Sequence, residues 1–414
     1  MNDNCPSDRF VWKERPELGR YVAPRTTHRL AVHRWLVFGH SFAPQIVDLF
    51  ASEWDLGSRD TLLDPFCGAG TALVAGQQAG LSPVGVDLSP LAVLASKVKT
   101  GRLDPERLTA ASGLVAAGGR RQVDVANPDQ CEAAFPASVL DDIRLVLGVA
   151  DTVGADNPQS ADAIRLALTA VAPNFSRLVG AGGWLAAATP KYDRGLRSHV
   201  ADRLADMAAD LAAMSPADTP AVVHHGDARQ LPLADNSVDA VVTSPPYPNR
   251  HDYSRVYAIE LAVCCASDTQ TREFRRQQIH SHPEVAAQRP DASGYQMPGI
   301  VANMSQAVLD SDAHKSIKRF VPNILSGYAL DSYLVCRELQ RVLKPGGQAA
   351  IVVGCVSYTG IIYPTDEVVA DAAEQAGLHV DHIAVARRKA TSAQQNRRHG
   401  TQHKRESVVV VHKI

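Results

Sequence analysis

The sequence predicts an α/β fold with a doubly wound, largely parallel sheet that carries an antiparallel hairpin at its end. Three observations predict this fold. Short apolar strands alternate with helical stretches, and the strand at residues 62–64 runs directly into a glycine-rich turn and a helix. Near the end of the chain, the apolar stretches 380–386 and 407–412 suit two neighbouring antiparallel strands.

The first predicted strand leads into a turn that contains Gly68 and Gly70. These glycines permit a tight turn and a close approach of the backbone to a ligand, while the helix at 72–79 presents free N–H groups. The turn lacks the Gly-Lys-Ser/Thr of a phosphate-binding loop and the third glycine of the dinucleotide fingerprint. We therefore expect a ligand over this turn, and phosphate binding is the weaker interpretation.

A second apolar strand, at residues 83–86, ends at Asp87. In a doubly wound sheet, an acid at this place accepts hydrogen bonds from the ribose hydroxyls of a bound nucleoside. The alternative role is an N-cap for the helix that begins near Pro90, and Ser89 fits that role at least as well. Asp87 is the predicted ribose ligand.

A third apolar strand, at residues 238–242, is followed by Thr-Ser-Pro-Pro-Tyr. Two prolines cannot continue a strand, because each lacks an N–H and has a fixed φ. The Ser244 hydroxyl, the backbone carbonyls beside the prolines and the flat face of Tyr247 together suit a planar amine. The alternative is that the two prolines only end a loop.

Two regions interrupt the alternation of strands and helices. Residues 101–220 have apolar side chains at helical spacing, for example at 161–172 and 199–213, which predicts a helical insertion. Residues 262–324 form a second, less regular insertion. Near residues 338–347, a helix closed by Pro-Gly-Gly is expected to precede a strand at 348–353.

Composition limits the class of protein. The chain has 414 residues, of which 45% are hydrophobic and 21% charged, as in a globular protein with more than one minimal core. It has no apolar run of membrane-spanning length and no signal sequence, so we expect a cytoplasmic protein without membrane contact. The seven cysteines show no paired C-x-x-C spacing, so neither a metal site nor a disulfide framework is predicted.

The stretch at 64–71, Asp-Pro-Phe-Cys-Gly-Ala-Gly-Thr, resembles the cofactor motif of the S-adenosylmethionine-dependent methyltransferases that modify exocyclic amino groups of DNA bases. Residues 244–247 resemble the catalytic motif of the same family, in the serine form that is typical of cytosine-N4 enzymes. Adenine-N6 members more often have Asp or Asn in place of Ser244. Similar segments lie at 33–44, 226–229 and 249–253.

The resemblance implies S-adenosylmethionine as the cofactor, on a Rossmann-like methyltransferase sheet. It implies a catalytic role for Ser244, Pro245, Pro246 and Tyr247. The cofactor-binding residues that it implies are Ser41, Phe42, Asp64, Pro65, Phe66, Gly68, Gly70, Thr71, Asp87, Leu88, Asp227 and Ala228.

Six segments are predicted on this basis. They are an N-terminal arm (1–26), the cofactor-binding half of the core (27–100), a helical insertion that is a candidate for target recognition (101–220), the catalytic half of the core (221–261), a second insertion with candidate DNA contacts (262–324) and the C-terminal part of the core (325–414).

Double-stranded DNA is the predicted partner, although the net charge of the chain is only −2. Local basic segments favour phosphate contacts, and a cognate restriction endonuclease is a second partner that the resemblance suggests. The predicted DNA contacts are Asn249, Arg250, Tyr253, Arg275, Arg276, Arg387, Arg388, Arg397 and Arg398.

The sequence predicts methyl transfer to the N4 amine of a flipped cytosine. Three alternatives stay open at this point: an adenine-N6 DNA methyltransferase, an RNA guanine-N2 methyltransferase and a non-catalytic nucleic-acid-binding homologue. In many cytosine-N4 enzymes the catalytic motif precedes the cofactor motif, whereas the order is reversed in this chain.

Overall fold

The structure is a computed structural model that describes residues 7–23, 27–119, 121–181, 184–214, 219–286, 290–391 and 400–414. The strands in these residues are β1 (Trp12–Glu14), β2 (Thr61–Asp64), β3 (Ser82–Asp87), β4 (Leu178–Gly180), β5 (Leu185–Ala187), β6 (Val222–His225), β7 (Val238–Thr243), β8 (Leu343–Gly354), β9 (Val356–Tyr358), β10 (Ile361–Tyr363), β11 (His379–Ala390) and β12 (His403–His412).

The helices are α1 (Gln45–Glu53), α2 (Thr71–Gln78), α3 (Pro90–Thr100), α4 (Pro105–Ala117), α5 (Pro128–Ala134), α6 (Ala137–Gly154), α7 (Pro158–Val171), α8 (Leu196–Ala213), α9 (Tyr253–Val256), α10 (Ala258–Cys264), α11 (Asp268–Gln277), α12 (Gly299–Asp310), α13 (Lys315–Val342) and α14 (Thr365–Gln375). Short 3-10 turns lie at Pro16–Arg20, Thr27–Arg29, His33–Trp35 and Ala172–Phe175.

One sheet of eight strands organises the described chain, in the order β1-β11-β12-β8-β7-β2-β3-β6. The run from β8 to β6 is parallel, and β12 is antiparallel to both of its neighbours. The predicted doubly wound sheet and its antiparallel hairpin are therefore confirmed, with Ile383 opposite Val409 in the hairpin.

The direction of winding changes between β2 and β7. From β2 the chain continues outward to β3 and β6, and it then returns to place β7 on the other side of β2. Ligands of doubly wound sheets bind at the carboxyl ends of the strands at this switch point. The glycine turn follows β2 and the Ser-Pro-Pro-Tyr turn follows β7, so both turns flank the same crevice.

Local sequence explains where several helices begin. Helix α3 begins at Pro90, and the Ser89 side chain accepts a hydrogen bond from the Ala92 N–H. Helix α4 begins in the same way after Asp104, with a proline at its first position. An acceptor side chain followed by proline satisfies a free N–H and pre-sets φ at the helix start.

The region 101–220 contains helices α4 to α8 and a short antiparallel hairpin of β4 and β5. Its helices share one apolar cluster, with Leu108, Ile143, Ile164 and Leu204 fully buried. The cluster continues onto α2 and α3, which lie against the sheet. The predicted helical stretches 161–172 and 199–213 lie largely within α7 and α8, while the hairpin had not been predicted.

The boundary between α13 and β8 differs from the sequence-based prediction. Helix α13 ends at Val342 and β8 begins at Leu343, so the Pro-Gly-Gly at 345–347 lies in the strand and does not close the helix. Gly346 has a φ of +81°, and the pairing with β7 skips from Leu343 to Gln348. Pairing with the edge of β7 extends the strand through a bulge that periodicity alone does not reveal.

Candidate active site

A cavity of about 300 Å³ lies at the carboxyl ends of β2, β3 and β7. Most of the predicted cofactor and catalytic residues line it: Ser41, Phe42, Asp64, Pro65, Phe66, Gly68, Thr71, Asp87, Leu88, Asp227, Ala228, Ser244, Pro245, Pro246 and Tyr247. Gly70 does not line the cavity and is instead the N-cap of α2. Residues that are far apart in sequence thus share one space of a size that suits a small ligand.

The glycine turn is shaped by two left-handed residues. Gly68 has a φ of +50° and Gly70 a φ of +80°. A Cβ on Gly70 would also lie 3.1 Å from the backbone of Ser96, so both the conformation and the space favour glycine. Ser96 Oγ donates to the Gly68 carbonyl at 2.9 Å, which holds the turn against α3.

Asp87 is placed at the end of β3 and faces the glycine turn. Its carboxylate accepts hydrogen bonds from the Gly68 N–H at 2.9 Å and from the Ser89 N–H at 2.8 Å. Burial raises the pKa of this carboxyl. Two backbone bonds leave part of the carboxylate's acceptor capacity for ligand hydroxyls.

Asp64 connects the two turns. Its Oδ1 accepts a hydrogen bond from Thr243 Oγ1 at 2.6 Å and another from the Phe66 N–H at 3.0 Å. Thr243 is the last residue of β7, directly before Ser244. Burial raises the pKa of Asp64 to about 7. This single carboxyl therefore fixes the start of the glycine turn relative to the start of the Ser-Pro-Pro-Tyr turn.

The Ser-Pro-Pro-Tyr turn leaves Ser244 and Tyr247 at the cavity wall. Ser244 Oγ lies 3.4 Å from Tyr247 Oη, and burial raises the pKa of Tyr247 to about 12, so the phenol is neutral at pH 7. A Cβ on Gly354 would lie 3.1 Å from the Tyr247 ring, so the ring packs closely on the end of β8. Beyond the turn, Tyr358 donates a hydrogen bond to the Pro248 carbonyl.

Asp227, a predicted cofactor residue, is held by an arginine that the sequence-based prediction overlooked. Arg229 is 1% exposed and pairs with Asp227 at 2.7 Å and with Asp331 of α13 at 3.1 Å. It also donates to the Gln277 carbonyl, next to Gln278 at the cavity wall. A fully buried arginine must be paired on all sides, so Arg229 fixes one wall of the cavity to two distant elements.

The N-terminal segment reaches over the cavity through Phe38, His40, Ser41 and Phe42. The Phe38 ring stacks on Tyr257, with 4.3 Å between ring centroids, and Ser41 Oγ lies 3.1 Å from Thr71 Oγ1. These contacts position the segment against both the glycine turn and the residues that follow the catalytic turn.

Two buried charged residues hold the beginning of this segment. Lys99 of α3 donates to the carbonyls of His33 and Leu36, and burial lowers the pKa of its ammonium group to about 7. Asp210 of α8 accepts hydrogen bonds from the Val32 N–H and the Trp35 indole. Neither residue carries a local sequence signal, since their partners lie 60 or more positions away.

The predicted DNA contacts are dispersed. Tyr253 lines the cavity, and Asn249 forms a turn through its side-chain bond to the His251 N–H at 3.1 Å. Arg250, Arg276 and Arg388 are exposed, while Arg275 pairs with Asp252 at 2.9 Å. Arg387 pairs with Glu406, and Arg388 with Glu14 at 2.6 Å. Arg397 and Arg398 lie outside the described residues.

Other residues of the cavity wall were not predicted. Lys389 and Glu406 reach it from the terminal hairpin, and Phe274 and Ile279 reach it from the region after α10. Within the described ranges, no group of three His, Cys, Asp or Glu residues is arranged to hold a metal ion. In the same ranges, no helix is long and apolar enough to span a membrane.

No family model matches the chain. The chain is 24% identical to the Type II methyltransferase M.BsoBI of Geobacillus stearothermophilus. The alignment is 445 residues long with its gaps and covers 94% of this chain and 87% of the relative. It is also 24% identical to the Type II methyltransferase M.AvaI of Nostoc sp., with 91% and 86% covered.

The chain is similar to Type II methyltransferases over nearly its whole length. Both similarities agree with the predicted methyltransferase and with S-adenosylmethionine as its cofactor. A shorter similarity, 34% identity over 85 residues, links 20% of the chain to 15% of M.MjaII of Methanocaldococcus jannaschii. Solved structures align at low scores, for example a SAM-dependent methyltransferase of Methanosarcina mazei with a TM-score of 0.31 and 10% identity, covering 88% of this chain and 97% of that one.

Proposed function

We infer that the protein is a site-specific DNA methyltransferase that transfers a methyl group from S-adenosylmethionine to the exocyclic N4 amine of a flipped cytosine. One observation carries this inference. The glycine turn and the Ser-Pro-Pro-Tyr turn open into the same cavity, and the bond between Thr243 and Asp64 joins them. The similarity to Type II methyltransferases supports DNA as the substrate class and a restriction-modification setting.

The cavity fits a nucleoside cofactor that carries a positive charge. Asp87 retains acceptor capacity for the ribose hydroxyls, and Asp227 is oriented by Arg229 at the side where the adenine ring would lie. Asp64 provides a carboxyl for the positively charged methionine end of the cofactor. When bound, S-adenosylmethionine supplies an electrophilic methyl group on a sulfonium centre, which needs no metal and no redox partner.

The catalytic turn acts on the target amine by positioning and by accepting hydrogen bonds. The amino nitrogen of cytosine is a weak nucleophile, because its lone pair is delocalised into the ring. Ser244 Oγ and the Pro245 carbonyl accept the two amino hydrogens, so the nitrogen becomes more tetrahedral and its lone pair points toward the methyl carbon. As the new C–N bond forms, the bond between the methyl carbon and sulfur breaks and leaves a neutral thioether. The amino proton becomes acidic only then and passes to water, so no strong base is needed before attack.

The base must leave the duplex stack to reach this turn. Tyr247 offers a neutral aromatic face at the cavity wall, next to Ser244. Base flipping costs a few kcal/mol, and stacking on an aromatic ring recovers part of this cost. The resemblance favours cytosine N4 through Ser244, and adenine N6 is the closest alternative.

The segments 101–220 and 262–324 are proposed as the parts that meet DNA, since they flank the catalytic half of the core. The cofactor-binding half at 27–100 and the catalytic half at 221–261 contribute most of the cavity wall. The N-terminal arm at 1–26 contributes Val22 and Ala23 to the same wall, and the C-terminal part at 325–414 contributes Lys389 and Glu406.

The test measures methyl transfer with labelled S-adenosylmethionine and unmethylated phage DNA or total RNA. Wild-type protein should label the DNA. The variant Ser244→Ala should lower kcat by roughly 100-fold, as expected for the loss of an acceptor used in the transition state, while the cofactor Kd stays within about twofold. Ser237→Ala is the matched control, because Ser237 precedes the opposite end of β7 and its hydroxyl donates to the Ala234 carbonyl, away from the cavity.

Two results would contradict the proposal. Label that enters only RNA would favour the guanine-N2 alternative. No transfer to either nucleic acid, together with intact cofactor binding, would favour a non-catalytic homologue.

A further inference from the structure

The hairpin of β4 and β5 exposes two large apolar side chains to solvent. Trp184 is 64% exposed and Val179 is 50% exposed, whereas Trp35 is 1% exposed and the two remaining tryptophans are partly buried. The hairpin is closed by the bond from the Ala181 N–H to the Trp184 carbonyl, at 2.8 Å. Exposed tryptophan on a surface projection is typical of a contact surface for another molecule.

The hairpin is fixed beside the active-site cavity. A Cβ on Gly180 would lie 2.3 Å from the carbonyl oxygen of Arg255 and 2.4 Å from that of Val256, so only glycine permits this approach. Both carbonyls belong to α9, and Tyr253 at the start of α9 lines the cavity. The hairpin therefore lies next to the segment that follows the Ser-Pro-Pro-Tyr turn.

The segment 177–194, which carries the hairpin, is cationic, although the whole chain has a net charge of −2. Arg177 precedes β4, and Lys191 and Arg194 follow β5; all three are exposed. Across the chain segments that the structure describes, neither Arg177 nor Lys191 forms an ion pair. The carboxylate in this stretch, Asp193, is 3.8 Å from Arg194, and both side chains are about 90% exposed, so this pair contributes little.

We propose that the β4–β5 hairpin is the element that contacts duplex DNA beside the flipped base. Trp184 packs against the bases next to the target, while Arg177 and Lys191 contact the flanking phosphates. This assignment rests on the proposed function and adds to it the element that touches DNA outside the cavity.

Shape and charge both favour DNA as the occupant. A two-stranded ribbon fits the major groove, which is about 12 Å wide and in which apolar side chains can contact base edges. An apolar patch meant for a second protein copy would not need flanking cations whose charge no described carboxylate pairs. The exposed Trp184 with Arg177 and Lys191 matches the combination of stacking and phosphate contact found in nucleic-acid surfaces.

The test uses Trp184→Ala, Trp184→Phe and the control Met297→Ala in the full chain. Met297 is 52% exposed and precedes α12, so its replacement removes a similar exposed apolar side chain elsewhere. Methyl transfer to unmethylated phage DNA gives KM for DNA and for cofactor, and tryptophan fluorescence reports DNA binding directly.

Trp184→Ala should raise KM for DNA roughly tenfold, in line with the loss of one aromatic stack, and should abolish most of the DNA-induced quenching. KM for the cofactor should stay unchanged. Trp184→Phe should restore most of the DNA affinity, and Met297→Ala should match wild type. Because Trp184 is exposed, the unfolding midpoints of all variants should agree closely. Replacing both Arg177 and Lys191 by Ala should lower the slope of log affinity against log salt by about 2.

The outcomes separate this proposal from the proposed function. If wild type methylates DNA but Trp184→Ala has an unchanged KM for DNA, the hairpin assignment is overturned and the proposed function stands. A change of oligomeric state in Trp184→Ala, with unchanged DNA affinity, overturns it in favour of a second protein copy. If wild type does not methylate DNA at all, the proposed function fails, and wild-type quenching by DNA then still tests the hairpin.

Discussion

Replacing Asp64 by Asn should stabilise the free protein and weaken cofactor binding. The amide keeps an oxygen that accepts from Thr243 Oγ1 and from the Phe66 N–H, so the link between the two turns survives. The substitution removes only the negative charge of the Asp64 carboxyl, which is 2% exposed. The substitution therefore isolates the cost of holding this charge at the cavity wall.

The size of the effect follows from the pKa of Asp64, which burial raises from 3.8 to about 7. Between these values the folded protein holds a proton that the unfolded chain has lost, so stability falls as pH rises, by about 1.4 kcal/mol per pH unit. Above pH 7 the loss of stability caused by the buried Asp64 charge levels off at about 4 kcal/mol. Asp64→Asn removes this dependence.

Urea unfolding of both proteins at several pH values measures the difference. The variant should gain stability relative to wild type by about 3 kcal/mol between pH 5 and pH 8. Calorimetry at pH 8 should show S-adenosylmethionine binding to the variant weakened by roughly tenfold or more, since a charged partner is lost. A stability difference that does not change with pH would refute the assignment of a buried, proton-holding carboxyl.

Three further predictions concern other parts of the site. Asp87→Ala should weaken cofactor binding at least tenfold, measured by calorimetry, because it removes the proposed ribose acceptor and the bond to the Gly68 N–H; an unchanged Kd would contradict the ribose role. Arg229→Met should lower the free energy of unfolding by about 3–5 kcal/mol in urea, because both Asp227 and the buried Asp331 would lose their ion pair with this arginine; a neutral effect would contradict the network. Tyr247→Phe should retain most of kcat and Tyr247→Ala should not, since the aromatic face is the proposed contact; equal losses would assign the role to the hydroxyl.

Residues with a strong local signal could be predicted from the sequence. The glycines of the turn after β2, the acid that ends β3 and the prolines after β7 each restrict the backbone at the end of an apolar strand. Strand ends in a doubly wound sheet meet at one edge, so Asp64, Asp87 and Ser244 could be assigned to a single site before the structure was known.

Residues whose role depends on distant partners could not be predicted. Arg229 and Asp331 are 102 positions apart, and Lys99 reaches carbonyls more than 60 positions away. The close packing of Gly180 on Arg255 depends on a contact between two separate regions, which no periodicity reveals. Pairing with β7 likewise decides that β8 begins at Leu343.

The most direct test of the central claim is the identity of the methylated nucleoside. Phage DNA that carries no methylated bases is incubated with the protein and S-adenosylmethionine, digested to nucleosides and examined by mass spectrometry. The proposed function predicts N4-methyldeoxycytidine with wild type, at the same level with Ser237→Ala and at a strongly reduced level with Ser244→Ala. N6-methyldeoxyadenosine as the product would contradict the cytosine assignment, and unmodified DNA would contradict the proposed reaction.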